Sequence, residues 1–298
     1  MDWIELSTTC PSPAVEAVVA VMLETTGAGP AVEDSGADKR VAVFLPATPE
    51  LERIAGTLQA KLMDIPTFLT GGTRLQIGRR TVRDEDWAET WKAYYHPLRI
   101  GRNLVVKPSW EPWPPEDAPN AARPTDIVIE LDPGMAFGTG THETTQLALC
   151  ALEDLVQPGD RVLDVGCGCG ILAFAAVRLG ARSAVAVDTD IVAVDVTRDN
   201  ARLMGLADQV TILHGGVDVA PPGPYDLVLA NITAPAVRDI AGQAFAALCP
   251  GGYYITTGFT EQFAESVREA MRAAGLHVVD TRIQGEWYSV LGRRPDEE

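Results

Sequence analysis

Val162-Leu163-Asp164-Val165-Gly166-Cys167-Gly168-Cys169-Gly170 is the stretch that decides the fold. The apolar residues before Gly166 read as a strand and residues 171–179 as a helix, so the glycines turn one into the other. Glycine permits positive φ and lets a ligand approach the backbone with no Cβ in the way. In open α/β sheets such a loop lies beyond the carboxyl ends of the strands, where ligands bind. Two readings of it fail. A dinucleotide fingerprint, G-x-G-x-x-G, needs glycine where Ile171 stands. A phosphate-binding loop needs Lys and then Ser or Thr, and neither this loop nor Gly138-Thr139-Gly140-Thr141 has that lysine.

Around the loop, strand and helix patterns alternate from Asp126 onward. Strands are expected at 127–131, 161–165, 183–188, 209–213, 225–232 and 253–258. Helices are expected at 143–155, 171–179, 190–204, 235–247 and 261–274. Segments 276–284 and 286–293 are strand-like and joined too tightly for a crossover, so they predict an antiparallel hairpin. The result is a doubly wound sheet with its last strand reversed. Residues 1–83 alternate differently, as strand 3–10, helix 12–26 (Ser12 as N-cap), strands 31–35 and 40–45, helix 49–63 and strand 73–83. That order predicts a small α+β domain of ferredoxin-like type. Between the two, residues 84–125 begin as a helix bearing Trp87 and Trp91, and six prolines follow from Pro108 to Pro124. This segment reads as a linker between domains 1–83 and 126–298.

The loop also resembles D-x-G-x-G-x-G, the form used by class I methyltransferases, from Asp164 to Gly170 without a gap, which points to S-adenosylmethionine as cofactor. Asp188 ends the next strand, where a carboxylate can accept both hydroxyls of an unphosphorylated ribose. The competing role is a helix N-cap, because Asp188, Thr189 and Asp190 all precede a helix. Asp218 is either an adenine-edge contact or an ordinary loop carboxylate. Asn231 ends the fourth strand and offers an acceptor and a donor where the transferable methyl emerges, which suits transfer to nitrogen; turn formation before Pro235 competes.

At 298 residues and 46% hydrophobic content the chain can bury two cores. No apolar run approaches the length of a membrane span, and Asp2 and Glu5 stand where a signal peptide carries positive charge. The 5 cysteines form no disulfide framework, and the C-x-C of Cys167 and Cys169 lacks a second pair at zinc spacing, so no metal is expected. A cytoplasmic location follows as the expectation. The net charge is −17, and residues 126–298 hold 24 acidic and 11 basic side chains with no lysine. That pattern offers no basic stripe for nucleic acid and suits a basic protein partner, or simple solubility.

Leu131-Asp132-Pro133-Gly134-Met135-Ala136-Phe137-Gly138-Thr139-Gly140-Thr141-His142-Glu143-Thr144-Thr145 adds a specific resemblance. With the glycine loop and Asn231-Ile232, it makes the chain similar to the PrmA family, which methylates protein eleven of the large ribosomal subunit at lysine side chains and its α-amino group. Trp87, Trp91, His96-Pro97, Pro108-Ser109-Trp110 and Glu286-Trp287 extend the resemblance over nearly the whole chain. It implies a class I methyltransferase domain behind a substrate-recognising N-terminal domain. It also implies cofactor contacts from Thr145, Gly166, Asp188 and Asn231, supported by Asp164, Gly168 and Gly170. Phe137, Gly138, Thr139, Thr141 and His142 would fold over the methionine end. The chain departs from the family at Thr233, commonly leucine, and at Thr257-Gly258-Phe259, commonly Ser-Gly-Ile-like; both are expected near the acceptor channel. A different protein or small-molecule acceptor, and a non-catalytic ribosome-binding factor, are the alternatives.

Overall fold

The computed structural model describes residues 3–26, 28–35, 38–48, 50–82, 95–115, 118, 121–132 and 140–296. Two compact units divide the chain, Met1–Tyr95 and His96–Glu298.

In the first unit β1 (Trp3–Cys10) lies between β3 (Asp38–Pro46) and β4 (Gly78–Val82), with β2 (Ala31–Ser35) outside β3. All pairings are antiparallel, and the order β2-β3-β1-β4 is that of a ferredoxin-like sandwich. Alternation along β1 turns Ile4 and Leu6 toward α1 (Val15–Thr26) and α2 (Leu51–Met63), whose Val18, Met22, Leu58 and Leu62 complete the core. Ser12 does not cap the first helix; a short 3-10 turn with proline ahead of it leads into α1 without a side-chain cap. Glu5 points to the opposite face, where Arg40 and Arg80 neutralise it.

The second unit is built on seven strands in the order β10-β9-β8-β11-β12-β14-β13. These are β8 (Arg161–Val165), β9 (Ser183–Asp188), β10 (Val210–His214), β11 (Tyr225–Asn231), β12 (Leu248–Thr260), β13 (His277–Gln284) and β14 (Trp287–Arg293). The strands from β10 to β12 are parallel, and β14 runs antiparallel to both β12 and β13, as the short hairpin requires. Parallel strands are covered on both faces, so β8 buries Val162, Leu163 and Val165 on its two sides, with Asp164 as the one buried charge-bearing residue among them. Val162 faces α3 (Glu143–Leu155) and α4 (Ile171–Leu179), while Leu163 and Val165 face α6 (Ala234–Asp239), α7 (Ala241–Ala247) and α8 (Glu261–Ala273). The helix expected at 235–247 is therefore two, meeting at Ile240.

The strand expected at 127–131 forms as β7 (Ile127–Glu130), but outside the large sheet. It pairs in parallel with β6 (Leu104–Lys107), which forms a hairpin with β5 (Leu98–Ile100). Strands β5 and β6 lie within the segment expected to be a linker. Leu104, Val106, Ile129 and Leu131 are buried against Leu149 and Leu152 of α3, and the gain from that burial outweighs the extended bias of the prolines that follow. Trp87 and Trp91 lie outside the described residues.

Candidate functional site

The carboxyl edge of β9, β8 and β11 gathers the site. Val165 is in register with Val187 on one side and with Ala230 on the other, so Gly166, Asp188 and Asn231 leave the sheet side by side. With about 4.8 Å between strands, Asp188 and Asn231 stand about 10 Å apart across the loop. The Gly166 and Cys167 N–H groups donate to the Val187 carbonyl at 2.9 and 3.1 Å and fold the loop back over β9. Gly166 and Gly170 adopt φ of 73° and 87°, and a Cβ on Gly166 would overlap Ile232 Cγ2, while one on Gly170 would come 2.8 Å from Thr197 Cγ2. Backbone and neighbouring side chains thus meet where any other residue would hold them apart.

Asp188 is freed from capping. Asp190 is the N-cap of α5 (Ile191–Leu203), accepting the Val192 N–H at 2.8 Å. Asp188 accepts the Gly168 N–H with Oδ2 and the Asp190 N–H with Oδ1, each at 2.9 Å. One bond per oxygen fixes the half-buried carboxylate and leaves a lone pair on each for ligand hydroxyls. Asp218 is exposed, in the short 3-10 turn Val217–Val219.

Asp164 lies beneath the loop and is fully buried. Its Oδ2 accepts the Ala173 N–H at 3.1 Å, supplying a bond that α4 lacks from Gly170 at its N-cap. Its Oδ1 has no partner among the described residues, and burial, with a further contribution from Asp188, pushes the carboxyl up to about 7. Burial likewise raises the Cys167 and Cys169 thiols, Cys169 to about 12, so both are protonated, packed thiols rather than thiolates.

Asn231 donates from Nδ2 to Thr145 Oγ1 at 3.3 Å, and its carbonyl oxygen takes no bond from the described residues. The turn before Pro235 does not use its side chain, since Thr233 is the N-cap of α6. Thr145 is buried in the first turn of α3, whose N-cap is His142. The His142 Nδ1 accepts the Thr144 N–H at 3.3 Å, and its ring meets Trp287 edge-on at 4.7 Å. Burial holds the imidazole below its ordinary pKa, hence neutral near pH 7. The Thr141 carbonyl accepts from Gln146 Nε2 at 2.9 Å, and Gln146 accepts from Gln284 at 2.7 Å. Phe137, Gly138 and Thr139 lie outside the described residues.

Of the two departures from the family, Thr233 is exposed, whereas Phe259 is buried in the apolar layer with Tyr254 and Val290. Phe259 is therefore a packing residue. Two polar residues escaped sequence reading: Thr197 donates to the Gly168 carbonyl at 2.7 Å, and Asn200 donates to the Cys169 carbonyl at 3.0 Å. Their signal was present, since both fall at helical spacing among Ala193, Val194 and Ala201 on the buried face of α5.

The cradle suits S-adenosylmethionine: a loop no Cβ could share, a fixed carboxylate on one side and an amide anchored through one end on the other. Comparison with known proteins agrees. The family model "Ribosomal protein L11 methyltransferase (PrmA)" matches residues 2–295. A ribosomal protein L11 methyltransferase of Pelotomaculum thermopropionicum is 41% identical over 98% of this chain and 99% of its own length. One from Symbiobacterium thermophilum is 38% identical over 99% and 100%. The crystal structure of a ribosomal protein L11 methylase from Lactobacillus delbrueckii subsp. bulgaricus superposes with a TM-score of 0.60 at 30% identity, covering 67% of this chain and 99% of that one.

Proposed function

The chain belongs to the ribosomal protein L11 methyltransferase family, and from that premise we propose that it methylates lysine side chains and the α-amino group of ribosomal protein L11, free or on the ribosome. The observation that carries the nitrogen acceptor is Asn231, tethered to Thr145 with its carbonyl oxygen left for an N–H.

Bound on the glycine loop, S-adenosylmethionine supplies an electrophilic methyl and its own leaving group. Asp188 holds the ribose hydroxyls, while Gly166, Gly168 and Gly170 allow the ligand onto the backbone over Asp164. Thr145, with Thr141 and His142, would enclose the remainder. Asn231 Oδ1 accepts one N–H of the incoming amine and aims its lone pair. A lysine has a pKa of ~10.4 in water and must be neutral to attack. Desolvation at the mouth of the site lowers that value, so no dedicated base is required. His142 is committed through Nδ1 to capping α3.

The first unit is the recogniser of the ribosomal protein. A net charge of −17 favours a lysine-rich protein over nucleic acid as the direct contact. Among the described residues no helix is long and apolar enough to cross a membrane. Incubation with labelled S-adenosylmethionine, recombinant L11 and a cell lysate tests the proposal by mass spectrometry. Label on L11 lysines and its α-amino group is expected. Label confined to another protein would refute the acceptor, and label nowhere would refute the transfer.

A further inference from the structure

Asn200 sits on α5 one turn beyond Thr197 and is 2% exposed. Its amide is used at both ends. Oδ1 accepts the Asp132 N–H at 2.9 Å, and Nδ2 donates to the Cys169 carbonyl of the glycine loop at 3.0 Å. Asp132 is fixed in turn by its own carboxylate, which accepts the Ser109 N–H at 3.0 Å and the Ser109 hydroxyl at 2.8 Å. Gly140 lies beside the start of α4, where a Cβ would come 3.2 Å from Val106 Cγ1 and 3.4 Å from Ile171 Cδ1. Asp132 is thus joined through Asn200 to Cys169 of the glycine loop. The other buried positions on this face of α5 are mostly small or apolar, and an amide among them carries a desolvation cost that an aliphatic side chain would not. What the amide provides is the join.

We propose that Asn200 is a positioning residue that couples the glycine loop to Asp132, so that the cofactor pocket keeps its shape only while both bonds are made. This rests on the reading of the glycine loop as the cofactor site. Asn200→Asp and Asn200→Leu separate positioning from bulk stability. A buried carboxyl holds its proton well above the usual range. Protonated, it offers one acceptor and one donor, as asparagine does; ionised, it sets an acceptor against the Cys169 carbonyl. The neighbouring ionisable groups Asp132, Asp164, Cys167 and Cys169 are shared with wild type, so affinities are read as ratios to wild type at each pH.

The experiment is calorimetric titration of S-adenosylhomocysteine near pH 8 and near pH 5.5, with ligand-free melting temperatures recorded alongside. Near pH 8 both variants are expected to bind about tenfold more weakly than wild type, the loss of one buried hydrogen bond or more. Near pH 5.5 the aspartate variant recovers to within about threefold while the leucine variant does not. Wild-type affinity in both folded variants near pH 8, or equal weakness of the two at both pH values, overturns the proposal. Should the leucine variant fail to fold, Ser109→Ala replaces it: weaker binding supports the coupling and unchanged binding overturns it. A wild-type protein that does not bind S-adenosylhomocysteine removes the cofactor reading itself, a result distinct from any of these.

Discussion

Asp164 and Asp188 stand on neighbouring strands, and their surroundings divide their work. Asp188 reaches the surface of the loop with one backbone N–H on each oxygen. Asp164, fully buried, keeps one oxygen without a partner among the described residues, and burial pushes its carboxyl up to about 7 against an ordinary 3.8. An acid with a raised folded-state pKa contributes stability that is complete below its ordinary value and lost as pH rises through the raised one. Between about pH 4 and pH 7 the protein should therefore lose a few kcal/mol from this group alone. Thermal or denaturant melts of wild type and Asp164→Asn across that window test the assignment. The difference in stability should shift in favour of the variant as pH rises. A difference independent of pH would show that Asp164 is ionised throughout.

Between elements, the controlling contact is the loop against Ile232, the residue after β11. Gly166→Ala brings a Cβ onto Ile232 Cγ2 and places a side chain at positive φ, which costs roughly 1–2 kcal/mol by itself. Melting temperature and cofactor affinity should both fall, and adding Ile232→Ala should restore part of the loss. No restoration would mean that the backbone conformation, not the contact, governs the loop. The loop was legible in the sequence because glycine has few uses between a strand and a helix. Asp188 and Asn231 were legible because strand ends in a parallel sheet converge. Asn200 and Thr197 carried a signal in their helical spacing on a buried face, but a hydrophobic periodicity passes over it because it treats polar residues there as interruptions. Strands β5 and β6 were missed for a similar reason: Pro108 to Pro124 dominated the reading, while the short run Leu104–Lys107 gains its strand character from pairing with β7, far along the chain. Registers and the split at Ile240 depend on such contacts, which no local pattern records.

At the scale of the whole molecule, the −17 charge and the lysine-free residues 126–298 describe a surface suited to a basic protein. Attraction of this kind is screened over about 8 Å at physiological ionic strength. The KM for L11 should accordingly rise several-fold between low and high salt, while affinity for S-adenosylhomocysteine stays nearly flat. A KM indifferent to salt would assign recognition to apolar contacts instead. A crystal structure with S-adenosylhomocysteine bound is the direct test of the cofactor site proposed across the carboxyl edge of β9, β8 and β11. The ribose hydroxyls should lie about 2.5–3.0 Å from the Asp188 oxygens, with the sulfur between Gly166 and Asn231. A nucleoside seated elsewhere, or an Asp188 carboxylate that contacts only Gly168 and Asp190, would contradict it.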